Sequence, residues 1–202
     1  MRVAVVDDQG VVRAGIAALI GLEPDIEVVA QASNGSEAVE IAQRMGAEID
    51  VMLLDVEMPG VDGLQALPRV REVSPHTRVL MLTTFDRPGW VSRALSLGAA
   101  GFVLKDQPAE ALAASIRAVK DGKQVVDQEL AARTLGLGIN PLTPREVDVL
   151  RAAEAGGTTA DVARTVGLSQ GTVRNHVTSA MAKTGGSSRM DAARRARDNG
   201  WL

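Results

Sequence analysis

Five times in its first 121 residues the chain passes from a short apolar run to a helical pattern. The runs are 2–6, 27–32, 50–54, 78–83 and 100–104, and the helical stretches fall at about 10–22, 35–46, 62–72, 88–97 and 108–121. Strand-length runs without polar alternation suit strands buried on both faces, and the intervening helices supply the crossovers. The alternation therefore predicts a parallel sheet covered on both faces, with right-handed connections. Ser36 with the acids after it, and Gly98 and Gly122 at the far ends of their helices, read as cap and stop signals.

The third run, Val51-Met52-Leu53-Leu54, ends on Asp55 and is closed by Pro59-Gly60. The first run, Arg2 to Val6, stops at Asp7-Asp8. In open α/β sheets the carboxyl edge is where ligands bind. Side by side, these two strands gather three carboxylates in one crevice. Such a cluster repels itself unless a hard cation sits among the oxygens, which points to Mg²⁺ rather than a soft metal. Thr83 and Lys105 fall at the ends of the fourth and fifth runs. A cation held by Asp8, Asp55 and the carbonyl of Glu57 leaves positions for phosphoryl oxygens, with Lys105 and the Thr83 hydroxyl holding the rest. Asp55 is then the nucleophile, since a carboxylate is ionised at pH 7 and needs no base to attack phosphorus.

At 202 residues there is room for one large domain or two small ones. With no cysteine, the chain has no disulfide, thiolate catalysis or Cys-type zinc site, which fits a reducing cytoplasm. No apolar run approaches the ~18 residues of a membrane helix, and the first residues lack a secretory pattern, so a soluble, unexported protein is expected. The aromatics are two Phe and two Trp, too few for stacking platforms on single-stranded nucleic acid. The net charge of −3 conceals a division. Residues 1–123 carry 12 Lys+Arg against 17 Asp+Glu, whereas residues 141–202 carry 9 against 6. Within 164–197 seven cations, Arg164, Arg174, Lys183, Arg189, Arg194, Arg195 and Arg197, face Asp191 alone. One half attracts a polyanion that the other repels.

From Gly122 to Pro141 the pattern loosens, with a short helix expected inside 127–137 and a linker closing at Pro141. The domains read as 1–121, a linker at 122–140, and 141–202. Four helical stretches follow, at 143–155, 159–166, 169–184 and 188–199. Thr143-Pro144-Arg145-Glu146 marks a helix start, with Thr as N-cap, Pro at the first position and Glu at the third. Gly167 stops the second of these helices and Ser169 caps the third. On that third helix Val173, Val177, Ala180 and Met181 form a face to be buried. Thr172, Asn175, His176, Ser179 and Lys183 are assigned to the opposite face, with Arg174 flanking. Amide, hydroxyl and cationic groups on one helix face suit a DNA major groove.

Asp7-Asp8, Asp55 with Met58-Pro59-Gly60 and Asp62-Gly63, Thr83, and Leu104-Lys105 together resemble the receiver domain of two-component response regulators. Leu142-Thr143-Pro144-Arg145-Glu146, Val162-Ala163, Leu168-Ser169 and Thr172-Val173-Arg174-Asn175-His176 resemble the LuxR-type helix-turn-helix. Joined, the two make the chain resemble a NarL/FixJ-type regulator. Thr83 to Trp90 and the ending Asn199-Gly200-Trp201 are similar to a DesR-like subgroup concerned with membrane-lipid desaturation. The resemblance implies an α/β unit, a flavodoxin-like (βα)5 sheet of order 2-1-3-4-5, followed by an all-α unit of four helices. It implies that Asp55 takes a phosphoryl group from a sensor histidine kinase's phosphohistidine with Mg²⁺. Asp7, Asp8, Asp55 and the Glu57 carbonyl would hold the cation. Thr83 would move toward the phosphate and Phe102 swing inward after it. It further implies homodimers on phosphorylation and binding to promoter DNA through Ser169, Gln170, Thr172, Arg174, Asn175, His176 and Lys183. Asp106 stands where the family has Pro, and Phe102 lacks a tyrosine hydroxyl. Thr184-Gly185-Gly186 stands where a Leu is common, which predicts looser packing of the last helix.

Two other readings use the same residues. An enzyme turning over through an aspartyl-phosphate, of the haloacid dehalogenase kind, would use position 57 as acid and base; Glu57 stands there where those enzymes have Asp. The basic second unit and the Asp7-Asp8 pair argue against it. A phosphorylation-independent interaction module would leave DNA binding and self-association indifferent to Asp55.

Overall fold

In the computed structural model residues 1–84, 88–127, 130–131 and 140–202 are described, and they form two compact units, the first holding residues 1–84, 91–127 and 130–131 and the second residues 88–90 and 140–202. The expected helix within 127–137, like Phe85, Asp86 and Arg87 of the DesR-like stretch, lies largely outside the described residues.

The first unit contains β1 (Arg2–Val6), α1 (Gly10–Ile20), β2 (Glu27–Ala32), α2 (Gly35–Met45), β3 (Val51–Asp55), α3 (Gly63–Val73), β4 (Arg78–Thr83), α4 (Pro88–Ser96, of which residues 88–90 group with the second unit), β5 (Gly101–Leu104), α5 (Ala109–Lys120) and β6 (Val125–Val126). All pairings are parallel, in the order β2-β1-β3-β4-β5-β6. The order of the first five is the flavodoxin-like one, and the sixth strand was not expected. At two residues β6 is too short for any periodicity to reveal. It exists because β5 offers an open edge: Val125 and Asp127 donate their N–H groups to the carbonyls of Ala100 and Phe102, both at 3.1 Å.

Successive strand residues face opposite sides, and both sides are filled. Val3, Val5, Leu53, Leu80, Leu82 and Val103 pack with Ile16, Ile20, Leu112 and Ile116 from α1 and α5. The alternate residues, among them Met52, Leu54, Met81 and Phe102, are buried as well. Each large apolar side chain so covered stabilises the fold by roughly 1.5–3 kcal/mol. This two-sided burial is why the strands read as unbroken apolar runs. At the start of α2 the cap is Asn34 rather than Ser36. The Asn34 side chain accepts from Glu37 N at 3.0 Å, while the Glu37 carboxylate accepts from Ser33 N at 2.7 Å. The reciprocal partner three positions on decides which polar residue caps.

The second unit holds α6 (Pro144–Glu154), α7 (Thr159–Val166), α8 (Gln170–Thr184) and α9 (Arg189–Asp198). Thr143 and Glu146 form the capping box expected for α6, and Thr158 with Asp161 builds another on α7. Gly167 closes α7 in the left-handed region and Ser169 caps α8, so α7 and α8 make helix, tight turn, helix. The expected looseness of α9 is not found. A Cβ at Gly186 would lie 2.6 Å from the backbone of Ala192, so the glycine lets the chain approach α9 closely. Ala192, Ala193 and Ala196 are fully buried there. Small residues on both sides replace a large one by closer contact.

Candidate functional site

Register brings the first unit's polar residues together. Val6 of β1 pairs with Leu54 of β3, so Asp7 and Asp55 emerge side by side at the carboxyl edge. Asp55 pairs with Leu82 and Thr83 with Leu104, which places Thr83 and Lys105 on the same edge. Lys105 N donates to the Thr83 carbonyl at 2.8 Å. Behind the site, a Cβ at Gly63 would lie 2.0 Å from the Asp55 carbonyl oxygen, so only glycine lets α3 start this close to the strand that carries Asp55.

Lys105 Nζ lies 2.7 Å from Asp7 Oδ2 and 2.9 Å from Asp55 Oδ2, with its side chain 5% exposed. Asp7 Oδ1 accepts from Gln9 N at 2.9 Å and Asp55 Oδ1 from Glu57 N at 3.4 Å. The Arg13 guanidinium donates to the Asp7 main-chain carbonyl, a contact the sequence did not suggest. One carboxylate oxygen each of Asp7, Asp8 and Asp55 lies within 4.8 Å of the others. Against three carboxylates stands one ammonium. Burial pushes the Asp55 carboxyl up; Lys105 pulls it down and Asp7 pushes it up again, leaving it at about 6. Asp7 Oδ2, wholly buried, is contacted by the ammonium but makes no hydrogen bond. Surplus negative charge and an all-oxygen donor set fit a hard divalent cation. Thr83 and Phe102 are both 1% exposed.

In the second unit, α8 buries Val173 and Ala180, with Val177 and Met181 half-buried against the two cores. Gln170, Arg174 and Asn175 are exposed, His176 is half-buried, and the Ser169 and Thr172 hydroxyls meet at 2.8 Å. Beside α8 runs an open groove of about 620 Å³, lined by Thr158, Thr159, Arg174, Val177, Thr178 and Arg189 among others. Ser179 and Lys183 depart from the face assigned to them. Both turn to α6, where Lys183 Nζ lies 3.0 and 2.7 Å from the two oxygens of Glu146 and Ser179 Oγ donates to it at 2.6 Å. Thr143 N donates to the same carboxylate at 2.7 Å. Burial raises the Glu146 carboxyl, but Lys183, Ser179 and Thr143 outweigh it and hold it at about 2. The sequence showed Glu146 only as a cap, because its main partner stands 37 positions away.

Ion pairs also absorb most of the cations counted along 164–197. Arg164 pairs with Asp161, Arg194 with Asp191 and Asp198, Arg195 with Asp191, and Arg197 with Glu154. Arg189 donates to the Gly157 carbonyl at 2.8 Å. Of the seven, only Arg174 has neither kind of partner among the described residues. No described helix is long and apolar enough to cross a membrane.

Comparison with known proteins accords with this geometry. Residues 3–117 match the response regulator receiver domain, and residues 140–196 match the luxR family of bacterial regulatory proteins. The chain is 35% identical to the transcriptional regulatory protein DesR of Bacillus subtilis over 202 residues, covering all of this chain and 99% of DesR. The response regulator ChrA of a heme-sensing two-component system superposes with a TM-score of 0.59 at 32% identity, covering 100% of this chain and 98% of ChrA. RcsB of Salmonella enterica serovar Typhimurium, bound to a promoter in the presence of a phosphomimetic, shares the fold at a TM-score of 0.74 and 24% identity, with 98% of both chains covered. A carboxylate crevice on one unit and a helix-turn-helix on the other thus place the chain in the two-component response regulators, as a receiver joined to a LuxR-type DNA-binding domain.

Proposed function

We propose that this regulator is switched by phosphorylation of Asp55, and that the switch controls how two copies hold double-stranded promoter DNA. The observation carrying the reading is the pairing of Asp55 with Lys105 at 2.9 Å beside the buried Asp7. An ionised Asp55 oxygen attacks the phosphorus of a sensor histidine kinase's phosphohistidine. The P–O bond forms as the P–N bond breaks, and the imidazole nitrogen leaves with the electron pair and takes a proton. Lys105 and the Thr83 hydroxyl hold phosphoryl oxygens, and Phe102, on the strand beside Thr83, reads the change. Asp7, Asp8, Asp55 and the Glu57 carbonyl would hold Mg²⁺, which when bound neutralises charge among the carboxylates and the incoming oxygens.

Pairing of receivers is supported by α1. Its outer face carries Val11 and Leu19, exposed by 89% and 50%, and Leu22 in the turn that follows is exposed by 80%. Two joined helix-turn-helix units meet two half-sites, and tethering the second multiplies affinity. Ser169, Gln170, Thr172, Arg174, Asn175 and His176 are the groups offered to DNA, with Arg174 beside the open groove.

The test is labelling of the full chain with acetyl phosphate. A single Mg²⁺-dependent modification is expected, absent in Asp55→Asn, with tighter promoter binding once labelled. Full labelling of Asp55→Asn would refute the acceptor, and repeated release of phosphate from small phosphomonoesters would instead make the protein an enzyme.

A further inference from the structure

At the other edge of the receiver sheet, where the strands begin, lies a cavity of about 200 Å³ lined by Arg71, Thr77, Arg78, Gly98, Lys123 and Gln124 among others. None of its lining residues is Asp or Glu. The cations come from three places: Arg71 from the last turn of α3, Arg78 from the first residue of β4, and Lys123 from the turn after α5. The Arg71 guanidinium is fixed. It donates to the Leu97 carbonyl at 3.2 Å and fills the space over Gly98, where a Cβ would come within 1.9 Å of its Nη1. β4 separates this edge from Thr83 by five residue steps, about 17 Å of strand.

The same edge shows what happens to cations whose charge is answered within the fold. Arg2 pairs with Glu48 at 2.8 Å and Lys120 with Asp50 at 3.2 Å, while Arg117 meets both Glu23 and Asp25 at 2.6 Å. Arg71, Arg78 and Lys123 have no ion pair among the described residues, although residues 1–123 hold 17 acids against 12 bases. Where acids are in surplus, three cations gathered round a concavity without one leave a focused positive potential. Two guanidinium groups and an ammonium match the oxygens of a tetrahedral anion, and Gln124 adds an amide donor. The volume lies below the roughly 300–1,000 Å³ of pockets for drug-sized ligands, which suits an anion of phosphate size rather than a nucleotide.

We propose that this cavity is a binding site for a phosphate-class oxyanion, either inorganic phosphate or the phosphoryl head of a small monoester. Such a ligand bridges α3, β4 and the turn after α5. The site is independent of Asp55 and its chemistry.

The full chain, free of Mg²⁺, is titrated with sodium phosphate and, separately, with glycerol 3-phosphate, against sodium chloride of equal ionic strength, and followed by amide resonances. Saturable shifts are expected at Gly98, Ala99, Ala100, Gly122 and Lys123, with millimolar affinity. The double variant Arg78→Gln/Lys123→Gln, both exposed positions, should weaken binding at least tenfold while its Asp55 labelling stays at the native level. Tighter binding of glycerol 3-phosphate assigns the site to monoesters, and tighter phosphate assigns it to the free ion. Shifts matched by chloride, shifts confined to Asp55 and its neighbours or to α8, or binding undiminished in a folded double variant would each overturn the proposal.

Discussion

A carboxylate at the end of a buried strand is costly unless something answers its charge. Asp55 is answered by Lys105 at 2.9 Å and by the Glu57 N–H at 3.4 Å, and still sits beside Asp7, so its acidity is weakened rather than strengthened. Glu146, also buried, meets the opposite fate because Lys183, Ser179 and Thr143 all donate to it. Lys183 is tied to the fold by its two contacts with Glu146. Its replacement by Gln leaves a buried carboxylate short of its only cation, at a cost of roughly 2–3 kcal/mol, reduced from a fully buried pair because Lys183 is 32% exposed on its side chain. Chemical denaturation should show that loss, while the salt dependence of DNA binding keeps its slope. Arg174→Gln should do the reverse, lowering the slope by about 0.9 with little change in stability. A Lys183→Gln slope that falls like that of Arg174→Gln would return the lysine to the DNA interface.

Among the elements, most boundaries follow from local chemistry. The capping boxes at Thr143 and Thr158 and the left-handed Gly167 fix where α6 starts, where α7 starts and where α7 ends. β6 differs, since its two residues are ordered by the edge of β5 rather than by their own preferences. α1 is the element whose surface is least explained by the receiver's own packing. Ile16 and Ile20 bury its inner side, yet its outer side is apolar too. Leu22→Glu, at a position 80% exposed, should leave stability within about 0.5 kcal/mol of the native value. Sedimentation after acetyl phosphate labelling should then show a monomer where the native chain forms a dimer. A labelled variant that still pairs fully would place the receiver interface elsewhere.

At the scale of the molecule, the two units answer acid in opposite ways. For Asp55 the folded pKa, about 6, exceeds the ordinary 3.8, so its contribution is full below 3.8 and is lost as pH rises through 6. For Glu146 the folded pKa, about 2, is below the ordinary 4.5, so its contribution is full above 4.5 and is lost as pH falls toward 2. Each amounts to at most about 3 kcal/mol. In chelator, hydrogen exchange should show receiver amides gaining protection from pH 7 to 5 while the helical unit holds steady. Below pH 4.5 the helical unit should weaken. Added Mg²⁺ should flatten the receiver's gain, since a cation favours the ionised Asp55, and Asp55→Asn should abolish it. Receiver protection that falls from pH 7 to 5 in chelator would contradict the burial of an uncompensated carboxylate. The charge division along the chain also changes meaning in three dimensions. Six of the nine cations in residues 141–202 stand in internal ion pairs, most of them exposed, weak and open to exchange with phosphate.

By itself the sequence determined the order of the receiver's helices and first five strands, the helix-turn-helix, and the residues Asp7, Asp8, Asp55, Thr83 and Lys105 at successive strand ends. These are legible because periodicity, caps and strand termini are local, and because a carboxylate ending an apolar run has few structural excuses. Only the tertiary structure decided that Lys105 bridges Asp7 and Asp55, that Gly63 and Gly186 are sites of close approach, and that Ser179 and Lys183 belong to Glu146. It also decided which cations keep no ion pair among the described residues, including Arg174 beside the open groove and Arg71, Arg78 and Lys123 round their cavity. Each of those depends on groups brought together from distant positions, where distance in space is set by packing and register and leaves no period in the sequence.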